Sequence, residues 1–461
     1  MKKKILAALL TSAMILSIAG CDQSAGNANN TGDNGTQAPS NSDNGGSTPA
    51  GDSDKVLTIL AWSGNSDIQN MKKIFCEATG TSEDLINIVA QGKDGGEASE
   101  KYQQYLTGSE DADLMCLEAD WILKYINDDT LTAPMSDLDI AESSLANAYK
   151  YTVEIGTNES GTFKAASFQA TPGGFAYRAD LAEQYLGVKS PAEMQEKVKD
   201  WDTFEKTAAE LKEASGGKCA LVSTEGGLWQ VYQANRTQAW VVDGKLVMDN
   251  AENFFDIAKK YKDEGYLFDA PQWDAAWYAS ISNGDALGDF ATTWSLTTAS
   301  DSMIAQFNGG KKDDEANMAF CAGPQNYYWG GTWLGVSTRC NTKELAKQFV
   351  EFFTCSDENM KKYVEGTNDY CNNSKVMKEI SDAGTNKNPY LKDGQDQFAI
   401  LKDAADGINM TGLITKYDST IKTCFNDAVQ AYIAGTHATK EDAIKAFKTD
   451  VAGKLSDITV E

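Results

Sequence analysis

Tryptophan stands beside carboxyl and amide side chains twice in the first third of this sequence. Trp62 is followed by Asn65 and Asp67, and Asp120 is followed at once by Trp121. A sugar ring presents an apolar C–H face and a rim of hydroxyl groups. A flat indole can cover the first, and carboxylates or amides can hydrogen bond to the second. These residue types therefore predict reversible binding of a neutral, hydroxyl-rich ring.

Glu118 is a further carboxyl candidate, two residues before Asp120. We favour Asp120 because it adjoins Trp121. If the preceding strand continues through both positions, its alternation points only one of the two carboxyls into a common crevice. If the chain has already become a loop, both can point in.

The second part of the chain offers aromatic and amide groups of the same kind. Two of the tryptophans flank Gly330-Gly331, and glycines allow a ring or a bound molecule to approach the backbone closely. The candidates are Gln169, Trp273, Trp294, Trp329 and Trp333. Core packing is the usual role of tryptophan, and we expect it for Trp229, Trp240 and Trp277.

The sequence lacks the residues that several other chemistries need. His437 is the only histidine, so His-rich metal sites and Ser-His or Cys-His catalysis have no base or ligand set. Eight cysteines beyond Cys21 are scattered without a C-x-x-C pair; we interpret them as small buried side chains. No phosphate-binding glycine motif is present. We therefore expect no metal and no cofactor.

The charge excludes a polyanionic partner. The chain has 41 basic and 67 acidic residues, a net charge of −26. Nucleic-acid binding requires clustered Lys and Arg. A strongly acidic exterior keeps a protein soluble and monomeric, so we expect a monomer that binds no nucleic acid.

The first 54 residues predict export and anchoring. Three lysines precede an apolar run from Ile5 to Gly20, the layout of a signal peptide over residues 1–20. The run is shorter than the ~20 apolar residues that span a bilayer. Ile18-Ala19-Gly20-Cys21 resembles the bacterial lipobox, which implies a lipid on Cys21; the alternative is an ordinary signal peptide with a chance cysteine. Residues 21–54, rich in Ser, Gly, Asn and Asp, predict a flexible linker.

Beyond the linker, short apolar strands alternate with amphipathic helices. "KVLTILAW", "INIVA" and "ADLMCLEAD" read as strands, each followed by a helical pattern, which predicts βαβ units and parallel sheets. In "DWDTFEKTAAELKEASGG", Asp202 and Glu205 have the spacing of a capping box, which predicts Asp202 as the N-cap. The carboxyl ends of parallel strands meet at one crevice, where open α/β sheets bind ligands.

The order of these segments resembles the extracellular solute-binding proteins of ABC transporters, in the carbohydrate-binding group that includes maltose-binding protein. The resemblance covers most of residues 55–461 and rests on "LAW", "ADLMCLEADWILKYINDDTLTAPMSDL", "SFQATPGGFAYRADL", "DWDTFEKTAAEL", "NGDALGDFATTWSL" and "GGTWLGVSTRCNTKELAKQFVEFF". The sequence departs from the family pattern in "EMQEKVKDWD", which has no proline before Trp201, and in the aromatic "NYYWGGTW".

The resemblance implies a two-lobed α/β fold of the periplasmic-binding-protein type, with hinge crossovers between largely parallel sheets. It places lobe one at residues 55–168 and 327–365, and lobe two at residues 169–326 and 366–461. It also implies a non-enzymatic receptor, anchored through Cys21 to the outer face of the cytoplasmic membrane, that presents a sugar to a permease. Trp62, Trp121 and Trp294 match the family's binding positions at strand ends.

Two alternatives remain open from the residues. A surface glycoside hydrolase would need two carboxyls across the scissile bond, and acids are plentiful here, although no pair stands out by spacing. The same fold could also bind a peptide or a polyamine. Several separate tryptophans favour an oligosaccharide, because each indole covers about one ring.

Overall fold

The computed structural model describes residues 55–62, 66–92 and 95–461. The predicted signal peptide, the lipidation site Cys21, the linker and the candidate Asn65 lie outside these residues.

Twelve strands are assigned within the described ranges. They are β1 Leu57–Ala61, β2 Ile86–Ala90, β3 Leu114–Glu118, β4 Thr132–Ala133, β5 Ala165–Ser167, β6 Gly173–Arg178, β7 Ala220–Val222, β8 Val241–Val242, β9 Lys245–Leu246, β10 Ala286–Thr292, β11 Met318–Cys321 and β12 Thr332–Ser337.

Helices occupy most of the remaining chain. Those before the second sheet is complete are α1 Ser66–Thr79, α2 Gly95–Thr107, α3 Ile122–Ile126, α4 Lys150–Ile155, α5 Ala179–Leu186, α6 Pro191–Val198, α7 Trp201–Ser215, α8 Glu225–Tyr232, α9 Phe254–Asp263, α10 Ala275–Asn283 and α11 Met303–Phe307. Those that follow are α12 Lys343–Thr354, α13 Asp357–Thr367, α14 Ser374–Ala383, α15 Phe398–Asp406, α16 Asp418–Ile433 and α17 Lys440–Lys454.

The first sheet has the strand order β2-β1-β3-β12-β4, with β5 also paired to β12. Strand β1 pairs in parallel with β2 and β3. All five residues of β1 are buried, as expected for a parallel strand covered on both faces. Strand β12 runs antiparallel to β3, β4 and β5.

The second sheet has the order β11-β6-β10-β7. Strand β10 is parallel to β7 and antiparallel to β6, which is also antiparallel to β11. The predicted two-lobed α/β fold is therefore confirmed, with both sheets mixed rather than uniformly parallel. The lobe boundaries given above stay predictions.

Three chain segments lie side by side where the two sheets are connected. The segment between β5 and β6 pairs with the segment before β12 through Trp329 N to Thr171 O, at 3.0 Å, and Gly173 N to Tyr327 O, at 3.2 Å. It also pairs with the chain after α13, through Ala170 N to Tyr370 O, at 3.2 Å. These paired crossovers bring side chains from both sheets to one place.

Helix α7 begins two residues earlier than the capping-box spacing predicted. Asp200, not Asp202, is the N-cap, and its side chain accepts a hydrogen bond from Thr203 N while the Thr203 side chain bonds back to Asp200 N. A threonine at the third helical position thus does what the pattern assigned to Glu205. The helix ends at Gly216, whose φ of 64° suits the left-handed C-cap.

The eight described cysteines are all free thiols, and six of them are buried, which agrees with their interpretation as small apolar side chains. No described helix has both the length and the apolar character that a membrane crossing requires.

Candidate functional site

Four tryptophans form one aromatic cluster next to the crossovers. The ring centroid of Trp273 lies 4.9 Å from that of Trp277, 6.0 Å from that of Trp294 and 5.8 Å from that of Trp329. Trp294 and Trp329 are 5.5 Å apart and nearly perpendicular. Trp277 is fully buried beneath the others, and its indole N–H donates to Asp289 Oδ2 at 2.8 Å. The three remaining rings, which we call the tryptophan cluster, reach the surface to different extents.

Local structure fixes how these rings are presented. Trp294 lies in the 3-10 helix Thr293–Leu296 directly after β10, and its Nε1 donates to Trp329 O at 3.0 Å. A Cβ on Gly330, whose φ is 65°, would come within 3.4 Å of Trp294 Nε1. Trp273 is 51% exposed and has a φ of 73°, which is uncommon for a bulky residue.

Glu118, at the end of β3, faces this cluster. Its Oε1 lies 3.7 Å from the position of a Cβ on Gly330, and its Oε2 accepts a hydrogen bond from Asp120 N at 2.9 Å. Burial, followed by the charge of Asp120, raises the pKa of Glu118 to about 8. Asp120 instead forms an ion pair with Lys422 of α16. Strand β3 ends at Glu118, so strand alternation does not constrain Asp120, and a role for either carboxyl in binding stays a prediction.

Asp67 and Gln169 belong to a second polar group at the crossovers. Gln169 Nε2 donates to Asp369 Oδ2 at 2.6 Å, and the Tyr363 hydroxyl donates to the same oxygen at 2.6 Å. Asp67 is hydrogen bonded to Gln169, and burial together with the Asp369 carboxylate raises the pKa of Asp67 to about 8. Burial also raises the pKa of Asp369. Gln169, which is only 2% exposed, thus contacts both carboxyls.

Three other predicted tryptophans have different surroundings. Trp62 is partly buried against the core next to the first sheet. Trp121 is 5% exposed and packs edge-on against Tyr102 and Tyr125. Trp333 is 1% exposed, and its Nε1 donates to Thr152 O at 2.8 Å. The ring of Trp333 therefore offers almost no surface to a bound molecule, because β12 places it inside the core.

Sequence reasoning missed the polar residues on the side of α16. Lys422, Asp418, Arg236 and Tyr328 line a cavity near the Asp120–Lys422 ion pair. Lys422 lies in a helix whose pattern is ordinarily amphipathic, and the pattern does not show what faces its polar side. The adjacent aromatic run "NYYWGGTW" was the one available signal, since Tyr328 belongs to it.

Two mixed sheets joined by paired crossovers, with exposed aromatic and charged side chains at the junction, define a two-lobed binding protein of the periplasmic-binding-protein type. The family profile of bacterial extracellular solute-binding proteins matches residues 70–393, and the chain belongs to this family. No curated protein sequence matches it.

Several solved structures share the fold at low sequence identity. A crystal structure of an extracellular solute-binding protein of family 1 has a TM-score of 0.71 and 18% identity, and the match covers 87% of this chain and 99% of that one. The binding protein of B. animalis subsp. lactis Bl-04 in complex with β-1,6-galactobiose has a TM-score of 0.67 and 17% identity, with 86% and 96% covered. The GacH receptor of Streptomyces glaucescens, crystallised unliganded and with acarbose, has a TM-score of 0.66 and 15% identity, with 88% and 99% covered.

Proposed function

We propose that this protein is the substrate-binding lipoprotein of an ABC importer and that it captures a neutral oligosaccharide. The observation that carries the proposal is the tryptophan cluster, where the half-exposed Trp273 adjoins Trp294 and Trp329 next to the Glu118 carboxyl. Apolar ring faces beside hydrogen-bonding oxygen are what a sugar requires. The backbone of Trp273 supports a functional role, since a strained φ persists only where the surroundings hold it.

The structural neighbours support this choice of cargo. Two of them were crystallised with saccharide-type ligands, β-1,6-galactobiose and acarbose. Their identity to this chain is too low to transfer a particular sugar. They favour an oligosaccharide over a peptide or a polyamine.

The candidate residues take different parts in the proposed site. Trp273, Trp294 and Trp329 stack on the ligand, and Glu118 hydrogen bonds to its hydroxyls as a neutral carboxyl near pH 7. Asp120 accepts from the ligand or from Lys422. Trp62 after β1, Asp67 in the first turn of α1 and Asn65, which lies outside the described residues, contribute further contacts, while Trp121, Gln169 and Trp333 support the site from within the core.

Closure and delivery follow from the same proposal. A ligand that contacts side chains from both lobes favours the closed arrangement through differential affinity, and the permease would recognise that form. The lipid on Cys21 and the linker at residues 21–54 would hold the receptor at the outer face of the cytoplasmic membrane. Lobe one is residues 55–168 and 327–365, and lobe two is residues 169–326 and 366–461.

The protein should catalyse nothing, despite the raised pKa of Glu118. A glycosidase needs a second carboxyl free to act as nucleophile or base. The neighbouring Asp120 is held by Lys422, and Glu118 itself accepts the Asp120 amide. No release of reducing ends is therefore expected.

Intrinsic tryptophan fluorescence tests the proposal. The exported chain is titrated with malto-, xylo-, manno- and cello-oligosaccharides, a peptide mixture and a polyamine. A saturable change with one glycan series, and no new reducing ends, supports the receptor. A response to the peptides or the polyamine alone would overturn the choice of cargo.

A further inference from the structure

A separate cavity of about 180 Å³ lies beside α16. Its walls come from the end of α8 and the 3-10 helix Gln233–Asn235, from the crossover before β12, from the loop after α15, and from the first turns of α16. The polar residues lining it are Gln230, Gln233, Arg236, Asn326, Asn409, Asp418 and Lys422. The cavity is smaller than the ~300–1,000 Å³ that encloses a drug-sized molecule, so it suits one ring.

Arg236 is a buried cation among the residues that line the cavity. It is 6% exposed, its Nη2 donates to Leu413 O at 3.1 Å, and its guanidinium lies 4.7 Å above the Trp240 ring. Its nearest carboxylate contact is Asp418, at 3.8 Å from Nη2 to Oδ2. Nη1 has no hydrogen-bond partner among the described residues.

The charges around the cavity are balanced. Arg236 and Lys422 are opposed by Asp418 and Asp120, and Lys422 is already paired with Asp120. Asp418 Oδ1 accepts from both Thr415 N and Thr415 Oγ1, at 2.9 and 2.7 Å. A ligand carboxylate or ammonium would disturb this balance in a buried place, whereas hydroxyl groups would not.

Apolar side chains also line the cavity. Ile408, Met410 and Ile414 line it from the loop after α15. A lining that combines apolar side chains with amides and a guanidinium suits a pyranose ring, which has apolar C–H faces and a rim of hydroxyls. The cavity is also next to the tryptophan cluster, because Tyr328 lines it and the following Trp329 belongs to that cluster.

We propose that this cavity is a subsite for the uncharged end ring of the oligosaccharide, bounded by the Arg236 guanidinium and the lining amides. This inference rests on the proposed function and adds a requirement for ligand length and charge. The tryptophan cluster binds the inner rings, and the cavity accepts the ring beyond them.

Calorimetric titration of the exported chain with two-, three- and four-ring members of the responding glycan series tests the subsite. For the unmodified chain, we expect that adding the ring that enters the cavity tightens binding about tenfold. Ala234, an exposed residue of the cavity lining, is replaced in Ala234→Phe to fill the cavity. This variant should lose the gain and bind the shorter ligand as before. The matched control, Ala438→Phe, changes an exposed residue before α17 and should retain the gain.

A milder variant, Gln233→Ala, keeps the subsite testable if Ala234→Phe perturbs folding. Gln233→Ala removes one lining amide and should weaken only the longer ligand, by several-fold. The longer ligand with a uronate end ring should bind at least tenfold more weakly than its neutral form. An unchanged gain in Ala234→Phe, equal losses for both lengths, or tighter binding of the uronate would overturn the subsite while leaving the receptor proposal intact. No response to any saccharide would overturn both.

Discussion

Trp273 and Trp333 show how one residue type takes two roles in this chain. Both were predicted as sugar contacts, since each lies near a glycine or a polar turn. Trp273 is 51% exposed in a loop, whereas Trp333 is 1% exposed in a central strand. Residue type and neighbours predicted tryptophans at the binding site, and the structure brings Trp273, Trp294 and Trp329 together; their contact with a ligand stays a prediction. The strand phase that turns Trp333 inward depends on pairing with β3 and β5, which the local sequence does not contain.

The exposed ring should matter for binding and little for stability. Trp273→Ala is expected to weaken oligosaccharide binding about tenfold, ~1.4 kcal/mol, because a stacking surface is lost. Calorimetry measures the dissociation constant, and thermal unfolding should change by only a few degrees. Trp273→Phe, which keeps an aromatic face, serves as the control. Unaltered affinity in Trp273→Ala would contradict a stacking role.

The buried ring should show the reverse. Trp333→Ala removes a core indole and its bond to Thr152 O, and should lower the free energy of unfolding by ~3–5 kcal/mol. Denaturant titration measures this. Trp333→Phe should lose less, since most of the volume is kept. A Trp333→Ala protein of unchanged stability but abolished binding would show that the ring contacts ligand after all.

At the scale of elements, the pattern of strands and helices could be predicted, but the contacts between elements could not. The apolar runs predicted β1, β2 and β3. The predicted start of α7 was two residues too late, because Thr203 also completes a capping box. Lys422 and Arg236 were not identified, because an amphipathic pattern shows which face of α16 is polar and not what lies opposite. The pairing of Lys422 with Asp120 comes only from the fold.

The Asp120–Lys422 ion pair links the loop after β3 to α16. Asp120 is partly exposed, so we expect a coupling free energy of only about 0.5–1 kcal/mol from a double-mutant cycle with Asp120→Asn and Lys422→Met. The cycle is measured by denaturant unfolding. The exposed pair Lys362–Glu358 of α13 provides a reference cycle with smaller coupling. Zero coupling between Asp120 and Lys422 would mean that the pair does not help to hold these elements together.

The carboxyls of Asp67 and Asp369, which lie at the crossovers, predict that the stability of the protein depends on pH. With a pKa of about 8, Asp67 keeps its proton when folded at pH values where the unfolded carboxyl, with a pKa of ~3.9, has lost it. The folded state then binds more protons, so the free energy of unfolding falls as pH rises from about 4 to about 8. Asp67→Asn should therefore be more stable than the unmodified protein at pH 8 and similar to it near pH 4.

Thermal unfolding at several pH values measures this difference. Glu100→Gln, on the exposed side of α2, is the control and should not change the pH profile. A stabilisation by Asp67→Asn that is equal at pH 4 and pH 8 would contradict the proton linkage.

At the scale of the whole molecule, the order of landmarks along the chain predicted the two-lobed fold. Order is informative because each strand, turn and helix restricts where the next can go, even when each pattern alone is weak. The antiparallel return of β12 and the three paired crossovers were not predicted in detail, since they depend on residues far apart in sequence. Those crossovers bring Glu118 of one sheet beside Trp294 of the other.

The central claim is that this junction binds a neutral oligosaccharide on its tryptophans. Its most direct test is a calorimetric titration of the exported chain and of the double variant Trp273→Ala, Trp294→Ala with the same glycan panel. The account predicts saturable binding of one neutral series by the unmodified chain and a loss of about a hundredfold or more in the variant. Equal affinity in the two proteins, or binding of none of the glycans, would contradict it.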